Sequence, residues 1–373
     1  MLSKPPAVWF TVTHSSDGGI LEVWRNLQDG FRSKGVCADI VALYPPADAK
    51  KADDASAVRH VWSGRPRGPW EYFKAMRGLI RLLRDEAPVV VFSAMPVANF
   101  MLPLAAACAG RGTRIIVTHH SPLTSIGALA RALDRAISSR GLVSNIVCVS
   151  KTVADTQPTL TRYRRKSRVI PNALGSDVEA LIRGLAPAVG SKRASPRKVV
   201  VAAGRLAAEK NYEALLRAAA LLPTTIIRIA GRGPEEGRLR ALTRTLGAED
   251  RVEFLGFLPR PKVLQLFASG DVFVQPSYFE GHSLALVEAA KLGLPLLVST
   301  APSQVEGITA LDGTQCGVAI NPYDVEGLAR EISRLCTDDV HYEHLSRLSM
   351  KLGAEASFEA MLSSYLELCP EMT

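Results

Sequence analysis

Aromatic residues are scarce in this chain, 6% of 373 residues, and a surface that grips nucleic acid wants interleaved aromatics or a recognition helix. A nucleic-acid-binding protein would account for the net charge of +9 and for little else. Cysteine is also thin. The six cysteines are scattered with no C-x-x-C spacing, which argues against a zinc site and a secreted disulfide scaffold and fits a reducing cytosol. No D-x-D flanked by apolar residues is present to hold a divalent metal, so no metal is expected. The G-x-G-x-x-G of a dinucleotide enzyme is missing too, which leaves an NAD-dependent oxidoreductase without its fingerprint. The stretch from Met1 to Pro6 leads into no signal-peptide core with a cleavage site. Residues 89–110 are uncharged and long enough to span a bilayer. Their β-branched start and the interruptions at Pro96, Asn99 and Pro103 instead predict a buried strand followed by a helix.

Hydrophobic residues make up 47% and charged residues 22%, so the chain can bury substantial cores, and its length predicts two compact units. Apolar runs that read as strands fall at residues 8–13, 38–43, 89–92, 114–118, 145–149 and 168–170. They recur at 198–203, 225–230, 252–255, 272–275 and 294–298. Amphipathic segments such as 21–34, 71–86, 212–222, 235–246, 261–268 and 284–292 read as helices between them. Alternation of this kind predicts α/β units built on parallel sheets covered on both faces. The periodicity breaks at residues 183–198, where Pro187, Gly190, Ser191, Ser195 and Pro196 suggest a linker. The expected domains are 1–184 and 185–356, with a C-terminal helix at about 357–373 packing back on the first. Charge divides between the halves: residues 1–186 carry 25 Lys and Arg against 14 Asp and Glu, and the remainder 20 against 22. Different partners for the two halves follow.

Four clusters carry chemistry. Glu280 and Glu288 flank the start of a helix, where unpaired backbone N–H groups meet whatever occupies the cleft; two carboxylates there suit sugar hydroxyls, although acidic residues also favour a helix start for its dipole alone. Arg205 and Lys210 follow a strand that ends at Gly204, a position that suits a diphosphate and equally a pair of solvated cations. Gly18 and Gly19 lie between the first strand and first helix, where glycine lets amides approach an anion or simply makes a tight turn. Gly231, Gly233 and Gly237 only loosely approach the G-x-G-x-x-G dinucleotide fingerprint. His119 and His120 end a strand; adjacent strand residues point to opposite faces, which disfavours joint metal ligation.

In this order the pieces resemble the retaining group 1, or GT4, glycosyltransferases. The resemblance runs from Val8 to about Phe358. It rests on the E-x7-E element Glu280/Glu288, on Gly204-Arg205-Leu206 with Glu209-Lys210-Asn211, and on Val169-Ile170-Pro171-Asn172-Ala173. Gly231-Arg232-Gly233-Pro234, Phe254-Leu255-Gly256, Val149-Ser150 and Gly18-Gly19 support it. The resemblance implies the GT-B fold, two Rossmann-like doubly wound domains facing across a cleft. It implies transfer of a sugar from a nucleoside-diphosphate sugar to a hydroxyl acceptor with retention of anomeric configuration. Arg205 and Lys210 would neutralise the donor diphosphate, with Gly18, Gly19, Ser283 and Leu284 supplying further contacts to it. Glu288 would take the ribose, Leu255, Gly256, Phe257 and Leu258 the base, and Glu280, Gly281, His282 and Ser283 the donor sugar. His120 aligns with the histidine of a T-x-H pattern near the reacting carbon, and His119 fits less well. Catalytic weight thus falls on His120, Arg205, Lys210 and Glu280, with no cofactor beyond the donor, UDP-linked before GDP-linked.

Two departures bear on this. His282 and Ser283 replace the aromatic and glycine that many members carry after Glu-Gly, which puts the donor sugar in question, and Asp17 precedes the glycine pair. The basic first half, with a cationic amphipathic stretch at 72–84 and a cluster at 162–166, fits an anionic or lipid-linked glycan acceptor. It also fits a cytoplasmic protein peripheral on an anionic membrane face, as well as a plain solvated helix face. A nucleotide-sugar epimerase of the same fold is the alternative enzyme, separated by transfer to a second molecule.

Overall fold

The computed structural model describes residues 8–15, 18–45, 58–139, 141–157, 161–185 and 197–370, with side chains at 161 and 162 left out. Met1 to Pro6, Asp17, most of the expected linker and the side chain of Arg162 lie outside the described residues.

The first half forms β1 (Val8–His14), β2 (Ala38–Tyr44), β3 (Val58–His60), β4 (Val90–Ala94), β5 (Arg114–His119), β6 (Asn145–Cys148) and β7 (Ser167–Val169). They form one parallel sheet in the order β3-β2-β1-β4-β5-β6-β7. The second half forms β8 (Lys198–Ala203), β9 (Thr225–Ala230), β10 (Val252–Gly256), β11 (Val272–Gln275), β12 (Leu296–Ser299) and β13 (Val318–Ile320). These make a parallel sheet ordered β10-β9-β8-β11-β12-β13. Both are doubly wound: the order reverses between β1 and β4 in one sheet and between β8 and β11 in the other. Beyond the carboxyl ends of such strand pairs the connecting loops part and leave a crevice.

Contacts divide the chain into one unit ending at Asn172 and taking in the chain from Phe358, and a second unit, Ala173–Ser357. The boundary expected at 184/185 moves accordingly. Helix Ser176–Leu185 belongs to the second unit because it packs on helix Arg260–Ala268 and because Glu179 pairs with Lys291 at 2.9 Å. The C-terminal helix is Phe358–Leu366, and it closes the core of the first unit. Tyr365 meets Trp24 and Phe92; beneath them Phe10 stacks on Phe92, and Phe31 meets both edge-on. Gly30 permits this closure, since a Cβ there would stand 2.8 Å from a Leu362 methyl. The uncharged stretch 89–110 is β4 followed by helix Pro96–Ala109, and among the described residues no helix is long and apolar enough to cross a membrane.

The sequence pattern shows neither β3 nor β13. Each has three residues at a sheet edge, too short for an alternation to be read.

Candidate active site

In the second unit the loops after β8 and β11 converge at the point where the strand order reverses. Gly204 ends β8 with φ 153°, and Arg205 follows it. A 3-10 turn, Ala208–Lys210, then delivers Lys210. Asn211, left-handed at φ 49°, turns the chain into helix Tyr212–Ala220. Its side-chain amide donates to the carbonyls of Pro276, at 3.2 Å, and Pro322, at 2.9 Å, so one side chain ties the loops after β8, β11 and β13 together. The amide of Tyr278 adds a backbone bond to the Glu209 carbonyl at 2.8 Å.

Glu280 occupies the middle of this junction. Its Oε1 accepts from Lys210 Nζ at 2.6 Å, Ser277 Oγ at 2.7 Å and Gln275 Nε2 at 3.1 Å, while its amide donates to Ser303 Oγ at 3.1 Å. The side chains of Lys210 and Glu280 are 18% and 12% exposed, so neither is a solvated loop charge. Glu280 also acts on its surroundings: burial first, then this carboxylate, raises the phenol of buried Tyr212. Gln275 donates to Ser283 Oγ as well, at 3.0 Å, and its Oε1 is buried and meets no donor among the described residues. Ser283 caps helix Leu284–Lys291 by accepting from the Leu286 amide at 3.3 Å. The amides of Leu284 and Ala285 fall in the first turn, where no intrahelical acceptor exists.

Arg205 differs from Lys210. Its side chain is 66% exposed and donates to Glu209 Oε1 at 2.6 Å. Burial is the largest single influence on Glu209 and works against its ionisation, but the hydrogen bonds from Arg205 and the backbone, with the charges of Arg205 and Lys210, together hold the carboxyl below the usual range. The exposed guanidinium can exchange this partner for the oxygens of an arriving anion.

Glu288 is 1% exposed and bonded to Arg260. The sequence offers no sign of that partner, which sits at the start of another helix 28 residues away. Leu255 and Gly256 end β10, and Phe257 is exposed beyond them. Gly256 has φ 68° and accepts from the Gly231 amide at 2.7 Å. Gly231 and Gly233 serve packing: a Cβ on either would overlap the carbonyl of Gly204 or Leu206. Gly281 is buried and His282 half-buried, and burial lowers the His282 imidazole to about 4 although Glu306 opposes the shift.

In the first unit Gly18 and Gly19 are exposed at the start of helix Gly19–Ser33. Gly18 is extended, and nothing lies within 4 Å of a Cβ built there. His119 is buried with Nε2 3.7 Å from Asp134 Oδ1. His120 turns the other way, with Nε2 3.1 Å from Thr118 Oγ1 and its ring against Trp24. Burial first, and His119 second, lowers its imidazole to about 3.

Comparison with known proteins places this geometry. Residues 17–177 match the family model described as Glycosyltransferase Family 4, and residues 189–351 the one described as Glycosyl transferases group 1. The D-inositol 3-phosphate glycosyltransferase of Mycolicibacterium smegmatis is 32% identical over 179 residues, 45% of this chain and 40% of that protein. The lipopolysaccharide core biosynthesis glycosyltransferase LpsE of Rhizobium meliloti is 30% identical over 227 residues, 60% of this chain and 63% of that protein. The chain thus aligns with roughly two to three fifths of the length of these curated relatives. Among solved structures, Anabaena HepE in complex with UDP and glucose superposes with a TM-score of 0.78 at 17% identity, covering 98% of this chain and 99% of that one. Both sheets and their order are those of the GT-B fold.

Proposed function

Because this chain belongs to the group 1, or family 4, glycosyltransferases, we propose that it moves a sugar from a nucleoside-diphosphate sugar to a hydroxyl acceptor, with retention and without a metal ion. The observation that carries this reading is the set of Arg205, Lys210 and Glu280 where the strand order of the second sheet reverses. When the anomeric C–O bond breaks, its electron pair leaves on the diphosphate, and the acceptor oxygen forms the new bond and gives up its proton. Charge therefore grows on the phosphate oxygens, where fixed donors lower the barrier most. Lys210, held by Glu280, and Arg205 neutralise that charge in place of a metal. Gly18, Gly19, Ser283 and Leu284 offer amides to the diphosphate. Glu288 and the segment from Leu255 to Leu258 take the nucleoside, Glu280 to Ser283 the sugar, and His120 a sugar hydroxyl near the reacting carbon. In this reading Glu288 exchanges or shares Arg260 when ribose arrives. The binding of UDP and UDP-glucose by HepE supports a UDP-linked donor.

Thermal-shift measurements with UDP-, GDP-, ADP- and dTDP-sugars test the donor, and a UDP-sugar is expected to stabilise most. Stabilisation by none of the four overturns the donor site. Isomerisation of the donor without transfer would make the enzyme an epimerase of this fold.

A specific observation favours an acceptor presented at an anionic, cytoplasmic membrane face. Helix Pro69–Glu86 buries Ala75, Leu79 and Leu83 and turns Lys74, Arg77, Arg81 and Arg84 outward. Trp70 and Phe73, 65% and 50% exposed, stack at its start with ring centroids 5.5 Å apart. Lys74 stands over Trp70 and Arg77 over Phe73. Cations beside exposed aromatics suit the headgroup layer of a bilayer. LpsE, named for lipopolysaccharide core biosynthesis, supports a lipid-linked glycan as the acceptor.

A further inference from the structure

His120 is held on two sides by residues of its own unit. Thr118, two residues earlier on β5, points to the same face of the sheet and brings its Oγ1 to 3.1 Å from His120 Nε2. Trp24 meets the imidazole edge-on, with centroids 5.6 Å apart and planes at 89°. Its own ring is pinned by Nε1–H donating to the Thr11 carbonyl at 3.1 Å.

A threonine hydroxyl has one hydrogen to give. Thr118 gives it to the Ser93 carbonyl at 2.9 Å, and a carbonyl can only accept. Toward His120, Thr118 is therefore left as an acceptor, and the bond forms only if the imidazole carries its proton on Nε2. Were the proton on Nδ1, Nε2 and the Ser93 carbonyl would compete for the single hydroxyl hydrogen. Rearrangement offers no escape. Ser93 and Thr118 are buried, Ser93 Oγ donates to Asn99 Oδ1 at 2.8 Å, and Asn99 Nδ2 donates to the Thr118 carbonyl at 3.2 Å. With Nε2 committed, the lone pair lies on Nδ1. No donor among the described residues reaches that atom, and the residue is half-buried, not sealed.

We propose that Thr118 is a positioning residue that fixes His120 as the Nε2-protonated tautomer and so presents the Nδ1 lone pair to a sugar hydroxyl of the substrate. The substrate half of this statement rests on the glycosyl-transfer reading; the tautomer half does not. A histidine that accepts at Nδ1 orients a hydroxyl oxygen by taking its hydrogen, whereas the opposite tautomer would face the same group with a donor.

The test uses the full chain labelled with 15N-histidine. Long-range 1H–15N spectra at pH 7 report which nitrogen is protonated, and loss of a signal set in His120→Gln identifies the residue. The wild type should show protonated Nε2 and bare Nδ1. Thr118→Val should shift the population toward protonated Nδ1, and Thr118→Ser should restore the wild-type spectrum. With a UDP-sugar and acceptor, Thr118→Val should lower kcat/KM about tenfold, the scale of one lost hydrogen bond, and Thr118→Ser should recover most of it. A loss confined to the acceptor KM assigns the hydroxyl to the acceptor, and one confined to donor binding assigns it to the donor sugar. Thermal unfolding of each variant separates these effects from misfolding. A wild-type spectrum with protonated Nδ1, or a folded Thr118→Val protein with an unchanged spectrum, overturns the tautomer assignment. Full turnover by His120→Gln overturns the substrate half and leaves the spectrum standing. The spectra need no substrate, so failure of the glycosyl-transfer reading is visible separately.

Discussion

Arg205 and Lys210 are two cations five residues apart in one loop, yet their surroundings give them different consequences. The pair of Arg205 with Glu209 is solvent-facing and worth about 0–1 kcal/mol to stability. Arg205→Ala should therefore cut turnover roughly 10²–10³-fold while leaving the melting temperature near that of the wild type. Lys210 compensates the largely buried carboxylate of Glu280, and removing one partner of such a pair costs about 3–5 kcal/mol. Lys210→Ala should lose turnover and melt earlier, and adding Glu280→Gln should recover stability without recovering turnover. Steady-state rates beside thermal unfolding of the three variants check this. Near-normal turnover of folded Arg205→Ala would sink the phosphate assignment. At this scale the positions of Arg205, Lys210, Glu280 and Glu288 are legible from spacing, because each lies in a loop or helix start that follows a strand. Arg260 and Asn211 are not. Their roles depend on contacts between segments up to 111 residues apart, such as Asn211 on the Pro322 carbonyl.

Single elements carry two further consequences. Helix Pro69–Glu86 is legible as amphipathic and cationic, since the spacing of Ala75, Leu79 and Leu83 already marks its buried face. Only the structure shows Trp70 and Phe73 stacked in the open. Each cation near an anionic surface contributes about 1 kcal/mol, screened by salt. Arg77, Arg81 and Arg84 changed together to Gln should weaken binding to anionic vesicles at low salt and leave donor binding unchanged. Trp70 fluorescence should shift to shorter wavelength as vesicles bind. Equal partition onto neutral and anionic vesicles would reduce the face to ordinary solvated surface. The C-terminal helix Phe358–Leu366 has the opposite role. It covers Trp24 and Phe92 with Tyr365, and truncating a buried aromatic costs about 3–5 kcal/mol. Tyr365→Ala should lower the melting temperature of the whole chain and loosen Trp24, the ring that abuts His120.

Across the whole molecule, three histidines resist protonation in the folded state. His119, His120 and His282 all have imidazoles lowered chiefly by burial, to about 3 for His120 and about 4 for His282. The unfolded chain then binds protons that the folded chain refuses. Stability is intact above the ordinary imidazole value of 6.5 and falls as pH drops through the window between 6.5 and these lowered values. Thermal unfolding from pH 8 to 4.5 should be flat above pH 7 and decline below about 6.5, the ordinary imidazole value, and His282→Gln should flatten the decline. On the proposed reading, in which Arg205 and Lys210 neutralise the diphosphate, transfer should also survive EDTA. Complete loss on chelation, restored by magnesium or manganese, would refute that assignment.

Local periodicity and fixed offsets in the sequence already give two α/β units, most strand positions, and the local placement of Gly18–Gly19, Arg205–Lys210 and Glu280–Glu288 beside strand ends and helix starts. These survive because a strand end, a tight turn and a helix start are short-range events. Only the tertiary structure decided the rest. The unit boundary moved to Asn172 because helix Ser176–Leu185 is placed by what it packs against, the helix Arg260–Ala268. The glycines at 231 and 233 proved necessary for two loops to touch. Glu280 met Lys210, 70 residues away, and Glu288 met Arg260, 28 residues away, only once their loops and helices were assembled. Such meetings are set by chain-distant packing, which leaves no mark on the spacing of residues along the chain.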